Sequence, residues 1–339
     1  MTINRRFTLK RRPQGDPVLE DFEFVSEDLP APPKGGFVVR NHYISLDPAI
    51  RGWLDDAPSY LPPVELGAAV RATTVGRVYA TDNADFAEGQ WVLGLNAIEE
   101  FSVIEPDSFT APIDADIVPS PTNYLSALGA VGMTGYFGLL EDGKPQAGET
   151  VLVSGAAGAV GSVVGQVAKI KGCHVVGIAG GAEKCTRLTN DYGFDAAIDY
   201  RGKDVDQLEA AIREAAPNGV DIIFENVGGD ILDAGLMNIN EHARIILCGL
   251  ISEYNSDPKG CRNAWQLIVN QATMKGFLIR DYADRFAEGG IEMAQWISEG
   301  KLKFDEHIES GIENVYEVFM MLFSGANQGK LILDVSPDA

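Results

Sequence analysis

A short apolar run that ends in glycines and continues as a helical pattern has the clearest chemical potential in this chain. It reads Val151-Leu152-Val153-Ser154-Gly155-Ala156-Ala157-Gly158-Ala159-Val160-Gly161. A helix that starts at such a turn presents unpaired backbone N–H groups, and its dipole favours an anion there. Gly158 would let the backbone approach phosphates, and Gly161 would let the helix pack on a sheet. Because Ala156 replaces the first glycine of the G-x-G-x-x-G pattern, the run alone is equally typical of an ordinary strand-to-helix turn.

Alternating strands and helices surround this turn. Strand-like runs recur at residues 150–154, 174–179, 196–198, 220–225, 243–248 and 274–279, with helical runs between them. Near-continuous apolar strands separated by helices predict a parallel sheet that is covered on both faces, in a doubly wound α/β domain. A dinucleotide-binding turn requires this context. We therefore expect Ala157, Gly158, Ala159 and Val160 to bind the phosphates of a dinucleotide.

The first third of the chain has a different pattern. Short strand candidates at residues 20–24, 36–45, 75–80, 90–94 and 100–104, separated by turns, predict a compact β-barrel. A helical run from about 124 to 140 then leads into the α/β region. Near the end, a helical run at 312–323 lies between strand candidates at 303–308 and 330–335, which fit the barrel. We predict a β domain of residues 1–123 and 301–339 and a nucleotide-binding domain of residues 124–300.

The end of the second strand of the sheet favours NADP over NAD. NAD-binding folds carry a carboxylate there for the ribose hydroxyls, whereas this strand ends in Ala179-Gly180-Gly181. Lys184 follows within a turn, and Tyr200 and Arg201 follow the third strand. A cation in place of an acid suits a 2′-phosphate. The alternative for Lys184 is a solvated surface lysine beside Glu183.

Composition argues against several other classes of partner. The 339 residues are 45% apolar and 22% charged, as in a globular protein of two domains. A net charge of −22 argues against nucleic acid, and no apolar run resembles a membrane span or a signal peptide, so we expect a cytoplasmic protein. The four cysteines form no C-x-x-C pair, and His174 beside Cys173 reads as structural. We expect neither disulfides nor a bound metal.

Several runs, in order along the whole chain, resemble the medium-chain dehydrogenase/reductase superfamily. They are Ser45-Leu46-Asp47-Pro48 with Arg51-Gly52, residues 156–161 with Gly165-Gln166, Glu225-Asn226-Val227-Gly228-Gly229, Cys248-Gly249-Leu250-Ile251-Ser252 with Tyr254-Asn255, and Asn327 with Gly329-Lys330. The chain is most similar to the zinc-independent branch of prostaglandin reductases, leukotriene B4 12-hydroxydehydrogenases, plant alkenal double-bond reductases and bacterial curcumin reductases. Leu66-Gly67-Ala68 stands where alcohol dehydrogenases carry a zinc-binding Gly-His-Glu.

The resemblance implies a GroES-like catalytic β-barrel domain and a Rossmann domain that binds NADP. It also implies NADPH-dependent reduction of a C=C bond conjugated to a carbonyl, in a homodimer formed through the sheet edge near Phe277. By residue match, Thr134 faces the nicotinamide, and Gly180, Lys184 and Tyr200 bind the 2′-phosphate. The resemblance assigns the remaining contacts with the cofactor to Asn226, Cys248, Ile251, Phe277 and Asn327.

Tyr254 is our candidate catalytic residue. Hydride addition to the β-carbon of an enone builds charge on the carbonyl oxygen, and the resulting enolate must then be protonated. Tyr254 follows a sheet strand, where sites in open sheets occur, although a loop tyrosine that merely covers the pocket is the alternative. Tyr43 and Tyr60 are weaker candidates for the substrate pocket, and packing roles are their alternatives. A quinone reductase and a non-catalytic NADPH-binding protein are the other functions that the sequence leaves open.

Overall fold

The computed structural model describes residues 2–337, and the chain divides into two compact units. Unit 1 comprises Met1–Leu125, Glu306–Asn327 and Leu331–Ala339, and unit 2 comprises Ser126–Asp305 and Gln328–Lys330. In chain order the strands are β1 (Ile3–Leu9), β2 (Phe22–Asp28), β3 (Phe37–Ser45), β4 (Arg71–Thr81), β5 (Trp91–Ala97), β6 (Phe101–Ile104), β7 (Thr110–Pro112), β8 (Thr150–Ser154), β9 (His174–Ala179), β10 (Ala196–Asp199), β11 (Val220–Glu225), β12 (Ile239–Leu247), β13 (Thr273–Gly276), β14 (Glu306–Ser310) and β15 (Lys330–Asp334).

The α-helices are short, and most of them follow a strand of the second unit. They are α1 (Ala49–Trp53), α2 (Ala130–Phe137), α3 (Ala159–Ile170), α4 (Ala182–Asn190), α5 (Val205–Ala215), α6 (Gly229–Leu236), α7 (Trp265–Val269), α8 (Phe286–Ser298) and α9 (Val315–Ser324). Within residues 2–337, no helix has the length and apolar character needed to cross a bilayer.

Unit 1 is a β structure built around β3. Its larger sheet has the order β14-β15-β3-β4-β5-β7, and β6 also pairs with β3. In β4 the buried Val78 lies between the exposed Arg77 and Tyr79, as a strand with one apolar face requires. The two strands predicted near the end of the chain join this sheet, because β15 pairs antiparallel with β3. The predicted β unit is confirmed.

Unit 2 contains a six-stranded parallel sheet in the order β10-β9-β8-β11-β12-β13. The chain moves outward from β8 to β10, returns to the centre and moves outward again from β11 to β13, so the order reverses between β8 and β11. Every residue of β8 is buried, and Val163, Val164 and Val167 bury one face of α3. Buried apolar strands covered by helices form the predicted doubly wound fold, which is confirmed.

Several predicted elements have different bounds in the structure, and two of these differences have a visible cause. The helical run predicted at 124–140 is wrong in its first part, because α2 begins only at Ala130, after the extended Gly129. A Cβ on Gly132 would lie 1.9 Å from the carbonyl oxygen of Ala127, so the chain turns too tightly there for a continuous helix. The strand predicted at 303–308 starts at Glu306, because the Gln166 side chain takes both backbone hydrogen bonds of Lys303.

Candidate functional site

The glycine-rich turn joins the end of β8 to the start of α3. Gly155 has a φ of 57°, which side-chain-bearing residues rarely adopt, and Gly158 is the extended residue that precedes the helix. A Cβ on Gly161 would lie 2.4 Å from the carbonyl oxygen of Gly155, so only glycine fits there. Ala157, Gly158, Ala159 and Val160 are partly exposed in this turn. The turn therefore offers backbone N–H groups and a helix dipole to an anion.

A segment from the far end of the chain completes this turn. Gly329 forms a parallel β-bridge with Gly158. The φ of Gly329 is 69°, and a Cβ there would lie 2.2 Å from the carbonyl oxygen of Asp305. Gln328 binds Glu183 and Arg187 of α4, and Arg187 in turn binds Asp305. The segment Gln328–Lys330 is thus fixed against both the turn and α4.

Cationic and aromatic side chains gather where β9 ends. A Cβ on Gly180 would lie 3.0 Å from the Tyr200 hydroxyl and 3.2 Å from Nε of Arg201, so both side chains approach this loop. Lys184 is half-buried on α4, and burial together with the charges of Arg201 and Arg187 lowers its pKa. Like charges held together favour binding of an anion. Arg201 is the residue that the predicted set of cofactor ligands omitted.

An acid beside this group is held by the backbone. Asp199 ends β10, and its Oδ1 accepts the N–H groups of Gly181 at 2.8 Å and Arg201 at 3.0 Å. These bonds, led by that of Gly181, lower the pKa of Asp199. Asp199 therefore fixes the loop around the cations, and the end of β9 itself carries no carboxylate, as the sequence indicated.

The carboxyl ends of β11 and β12 lie beside those of β8 and β9, at the same edge of the parallel sheet. Asn226 donates its side-chain N–H to the Ser154 carbonyl at 2.7 Å, and its own carbonyl accepts the N–H of Ile251 at 3.2 Å. The N–H of Cys248 binds the Glu225 carbonyl at 2.9 Å. Burial and the Glu225 carboxyl raise the pKa of Cys248 to about 12, so its thiol stays protonated.

Glu225 is a buried acid that sequence reasoning missed as a site residue. It is 1% exposed, and its Oε1 accepts hydrogen bonds from Ser154 Oγ at 2.5 Å, Val227 N at 2.6 Å and Gly228 N at 2.8 Å. Within residues 2–337, its Oε2 has no hydrogen-bond partner. A glutamate at the end of the otherwise apolar run Ile222-Ile223-Phe224 was the available signal.

Three predicted residues of unit 2 have the following contacts within that unit. Thr134 Oγ1 donates to the Ala130 carbonyl at 2.7 Å within α2. The Phe277 ring packs on Gly138, where a Cβ would lie 2.4 Å from it, and makes an edge contact with Phe224. The Tyr254 hydroxyl accepts the N–H of Leu250 at 3.2 Å in its own loop.

The other predicted residues belong to unit 1. Tyr43 is half-buried in β3, and burial followed by the charges of Asp334 and Glu306 raises its pKa. Tyr60 is exposed and contacts the Trp53 ring edge-on, with ring centroids 6.2 Å apart. Asn327 follows α9.

The described residues contain no arrangement suited to a metal. Within residues 2–337, no three His, Cys, Asp or Glu side chains are placed to hold an ion together. Cys173, Cys185, Cys248 and Cys261 form no disulfide.

A doubly wound sheet, a glycine-rich turn at its point of reversal and a cationic group beyond its second strand define a dinucleotide-binding protein. Two sequence families match the chain. Residues 5–111 match the family described as N-terminal domain of oxidoreductase, and residues 159–296 match the family described as Zinc-binding dehydrogenase. The description Zinc-binding dehydrogenase names that family as a whole and does not assign zinc to this chain.

Similar proteins narrow the class. An NADPH-dependent curcumin reductase of Escherichia coli is 40% identical over 99% of this chain and 98% of its own length. A 2-alkenal reductase (NADP+-dependent) of Nicotiana tabacum is 38% identical over 98% of each chain. The crystal structure of CurA from Vibrio vulnificus in complex with NADPH has a TM-score of 0.92 at 39% identity, over 98% of this chain and 99% of that one. This chain belongs to the zinc-independent, curcumin-reductase-like branch of the medium-chain dehydrogenase/reductase family.

Proposed function

We propose that this protein is an NADP-dependent oxidoreductase that reduces the C=C bond of α,β-unsaturated carbonyl compounds. The observation that carries the choice of cofactor is the pair Lys184 and Arg201 beside the carboxylate-free end of β9. The substrate class rests on relatives that are named for the reduction of curcumin and of 2-alkenals and that match almost the whole chain.

The residues present fit an NADPH molecule. We propose that Ala157, Gly158, Ala159 and Val160 bind its diphosphate, because their backbone lies at the start of a helix, where an anion is favoured. The glycine at position 161 keeps this turn open, since a Cβ there would collide with the Gly155 carbonyl oxygen. Gly180, Lys184 and Tyr200 would hold the 2′-phosphate together with Arg201. The proposed contacts to the rest of the cofactor are Thr134, Asn226, Cys248, Ile251, Phe277 and Asn327.

When bound, NADPH supplies the hydride, and the chain must supply orientation and a proton. We assign the proton to Tyr254. Its oxygen accepts the N–H of Leu250, and a hydroxyl that accepts a hydrogen bond becomes a better donor. A donor aimed at the carbonyl oxygen stabilises the charge that develops there. Tyr43 and Tyr60 are the proposed walls of the substrate site.

The test is a cofactor and substrate matrix. Oxidation of NADPH and of NADH is followed at 340 nm with an enone, an alkenal and a quinone, and the products are identified by mass spectrometry. We expect turnover of the enone and alkenal to the saturated carbonyl, with NADPH preferred at least about tenfold. Turnover of the quinone alone would identify a quinone reductase, and NADPH binding without turnover would identify a non-catalytic protein. Either result contradicts the proposal.

We also propose that the protein forms a homodimer through β13. This strand ends the parallel sheet, and Trp265, Ile268 and Val269 of the preceding helix are more than half exposed, at 66%, 67% and 56%. An unpaired strand edge beside apolar side chains favours pairing with a second copy. Light scattering should give twice the chain mass of 36.5 kDa, and Trp265→Glu should give the monomer.

The cytoplasmic location stays a proposal that cell fractionation can test.

A further inference from the structure

Glu225 is a fully buried acid at the point where the strand order of the sheet reverses. It ends β11, the neighbour of β8, and the helices that follow these two strands belong to opposite halves of the sheet. Dinucleotides bind across the crevice at this point, with one mononucleotide on each half. The carboxyl is therefore part of the floor of the crevice, on the half that receives the second mononucleotide, and the proposed proton transfer does not use it.

The two oxygens of this carboxyl have opposite surroundings. Oε1 accepts three hydrogen bonds, from Ser154 Oγ and from the N–H groups of Val227 and Gly228. Oε2 is buried and has no hydrogen-bond partner within residues 2–337. The three donors stabilise a carboxylate, whereas a bare buried oxygen makes that charge costly. The three donors and the burial of Oε2 therefore act on the charge of Glu225 in opposite directions.

The groups that face Glu225 are neutral polar groups. Ser154 approaches from β8, the Cys248 thiol lies on the β12 side, and the N–H groups of Val227 and Gly228 precede α6. The N-terminal end of α6 favours a negative charge. Burial raises the pKa of Glu225, and its hydrogen bonds, led by that of Ser154, partly offset this effect.

We propose that Glu225 sets the preference of the site between the oxidised and reduced cofactor. The nicotinamide ring carries a positive charge when oxidised and none when reduced. An ionised Glu225 attracts that charge through a low-dielectric floor, whereas the protonated form does not. The inference rests on the proposed function, because it requires an NADP-type cofactor in this crevice. By reciprocity, bound NADP+ stabilises the ionised carboxyl more than NADPH does.

A purely structural role for Glu225 makes a different prediction. Glu225→Gln keeps an acceptor oxygen for the same three donors and removes the charge. If the side chain only holds the Asn226–Gly228 loop, this variant leaves the relative affinity for the two cofactor forms unchanged. Ser154→Ala is the matched variant, because it keeps the charge and removes one donor that stabilises it.

The experiment measures Kd for NADP+ and for NADPH by calorimetry between pH 5.5 and 9. The 2′-phosphate titrates in both cofactors and cancels in the ratio of the two constants. In the wild type, Kd(NADP+)/Kd(NADPH) should fall roughly five- to tenfold as pH rises through the titration of Glu225. The ratio should stay flat in Glu225→Gln, and the step should move to higher pH in Ser154→Ala.

Four results would overturn the inference. A wild-type ratio that does not vary with pH, or the same step in Glu225→Gln, would remove the role of the charge. If Glu225→Gln does not fold, an unmoved step in Ser154→Ala would do the same. Failure of the wild type to bind NADPH at any pH would overturn the proposed function as well, whereas binding with a flat ratio overturns this inference alone.

Discussion

Lys184 and Arg201 are two like charges that the fold brings together. The pKa of Lys184 is lowered in this environment, which means that the protein bears a cost for the charged form. An anion placed between the two side chains offsets that cost. Sequence reasoning identified Lys184, because it follows β9 closely, and noted Arg201 past the third strand without including it among the cofactor ligands. Only the fold shows that Arg201 turns toward Gly180 and Gly181.

Removing these cations should weaken NADPH binding selectively. Lys184→Ala should raise KM for NADPH about tenfold to a hundredfold with little change in kcat, since a charge-assisted hydrogen bond contributes about 1.5–3 kcal/mol. Arg201→Ala should act in the same direction. The values for NADH should change little, because NADH lacks the 2′-phosphate. Lys203→Ala is the control, because Lys203 is an exposed lysine two residues after Arg201. Equal losses with NADH would contradict the assignment.

The proposed role of Tyr254 as proton donor can be tested by removing its hydroxyl group. Tyr254→Phe should lower kcat for enone reduction about a hundredfold, the effect of losing a general acid, while Kd for NADPH stays the same. Tyr79→Phe removes a hydroxyl from an exposed tyrosine and should leave both values unchanged. Unaltered enone turnover in Tyr254→Phe would show that another group or solvent delivers the proton.

At the scale of elements, local signals predicted the alternation of strands and helices along the α/β region well. The apolar runs of β8, β9 and β11 and the glycines after β8 determine their own local structure, and the sequence displays them directly. The late start of β14 has a long-range cause. Gln166 holds Lys303 away from strand pairing, and no pattern near Lys303 reveals a partner on α3. The role of Glu225 depends likewise on Ser154, from a different strand.

Two glycines in helices allow a matched test of the turn. Gly161→Ala should destabilise the protein by about 1–3 kcal/mol and weaken NADPH binding, because its Cβ would lie 2.4 Å from the Gly155 carbonyl oxygen. Gly290→Ala in α8 has no atom within 4 Å of the new Cβ, and it should stabilise by up to about 1 kcal/mol. Urea unfolding and NADPH titration measure both effects. Tolerance of Gly161→Ala would contradict the close packing.

At the scale of the whole molecule, charge is the dominant feature that composition alone reveals. The chain carries 49 acidic and 27 basic side chains, so its net charge is −22 at neutral pH. Such an excess of like charge keeps protein molecules apart in solution. It also destabilises the folded state, because the like charges within one molecule repel one another. The composition predicts this balance, whereas the division of the chain into its two units depends on pairings between distant segments.

Salt should therefore stabilise the folded protein. Raising NaCl from about 0.05 M to about 0.5 M shortens the screening length several-fold, and Tm should rise by a few degrees. Differential scanning calorimetry in the two salt concentrations measures the shift. The same increments of sucrose, which adds no ions, serve as the control for changes in the solvent. A Tm that falls with NaCl would show that the surface ion pairs outweigh the repulsion.

The bridge between Gly158 and Gly329 has a consequence for biosynthesis. A ribosome releases the glycine turn long before it makes the segment Gln328–Lys330 that pairs with it and fixes α4. The nascent sheet can assemble early, but this edge of it is complete only after Gln328–Lys330 has emerged. Translation that stops before Gln328 therefore yields a polypeptide whose nucleotide turn lacks its partner. The acquisition of cofactor affinity accordingly depends on synthesis of Gln328–Lys330 and not only on synthesis of the turn.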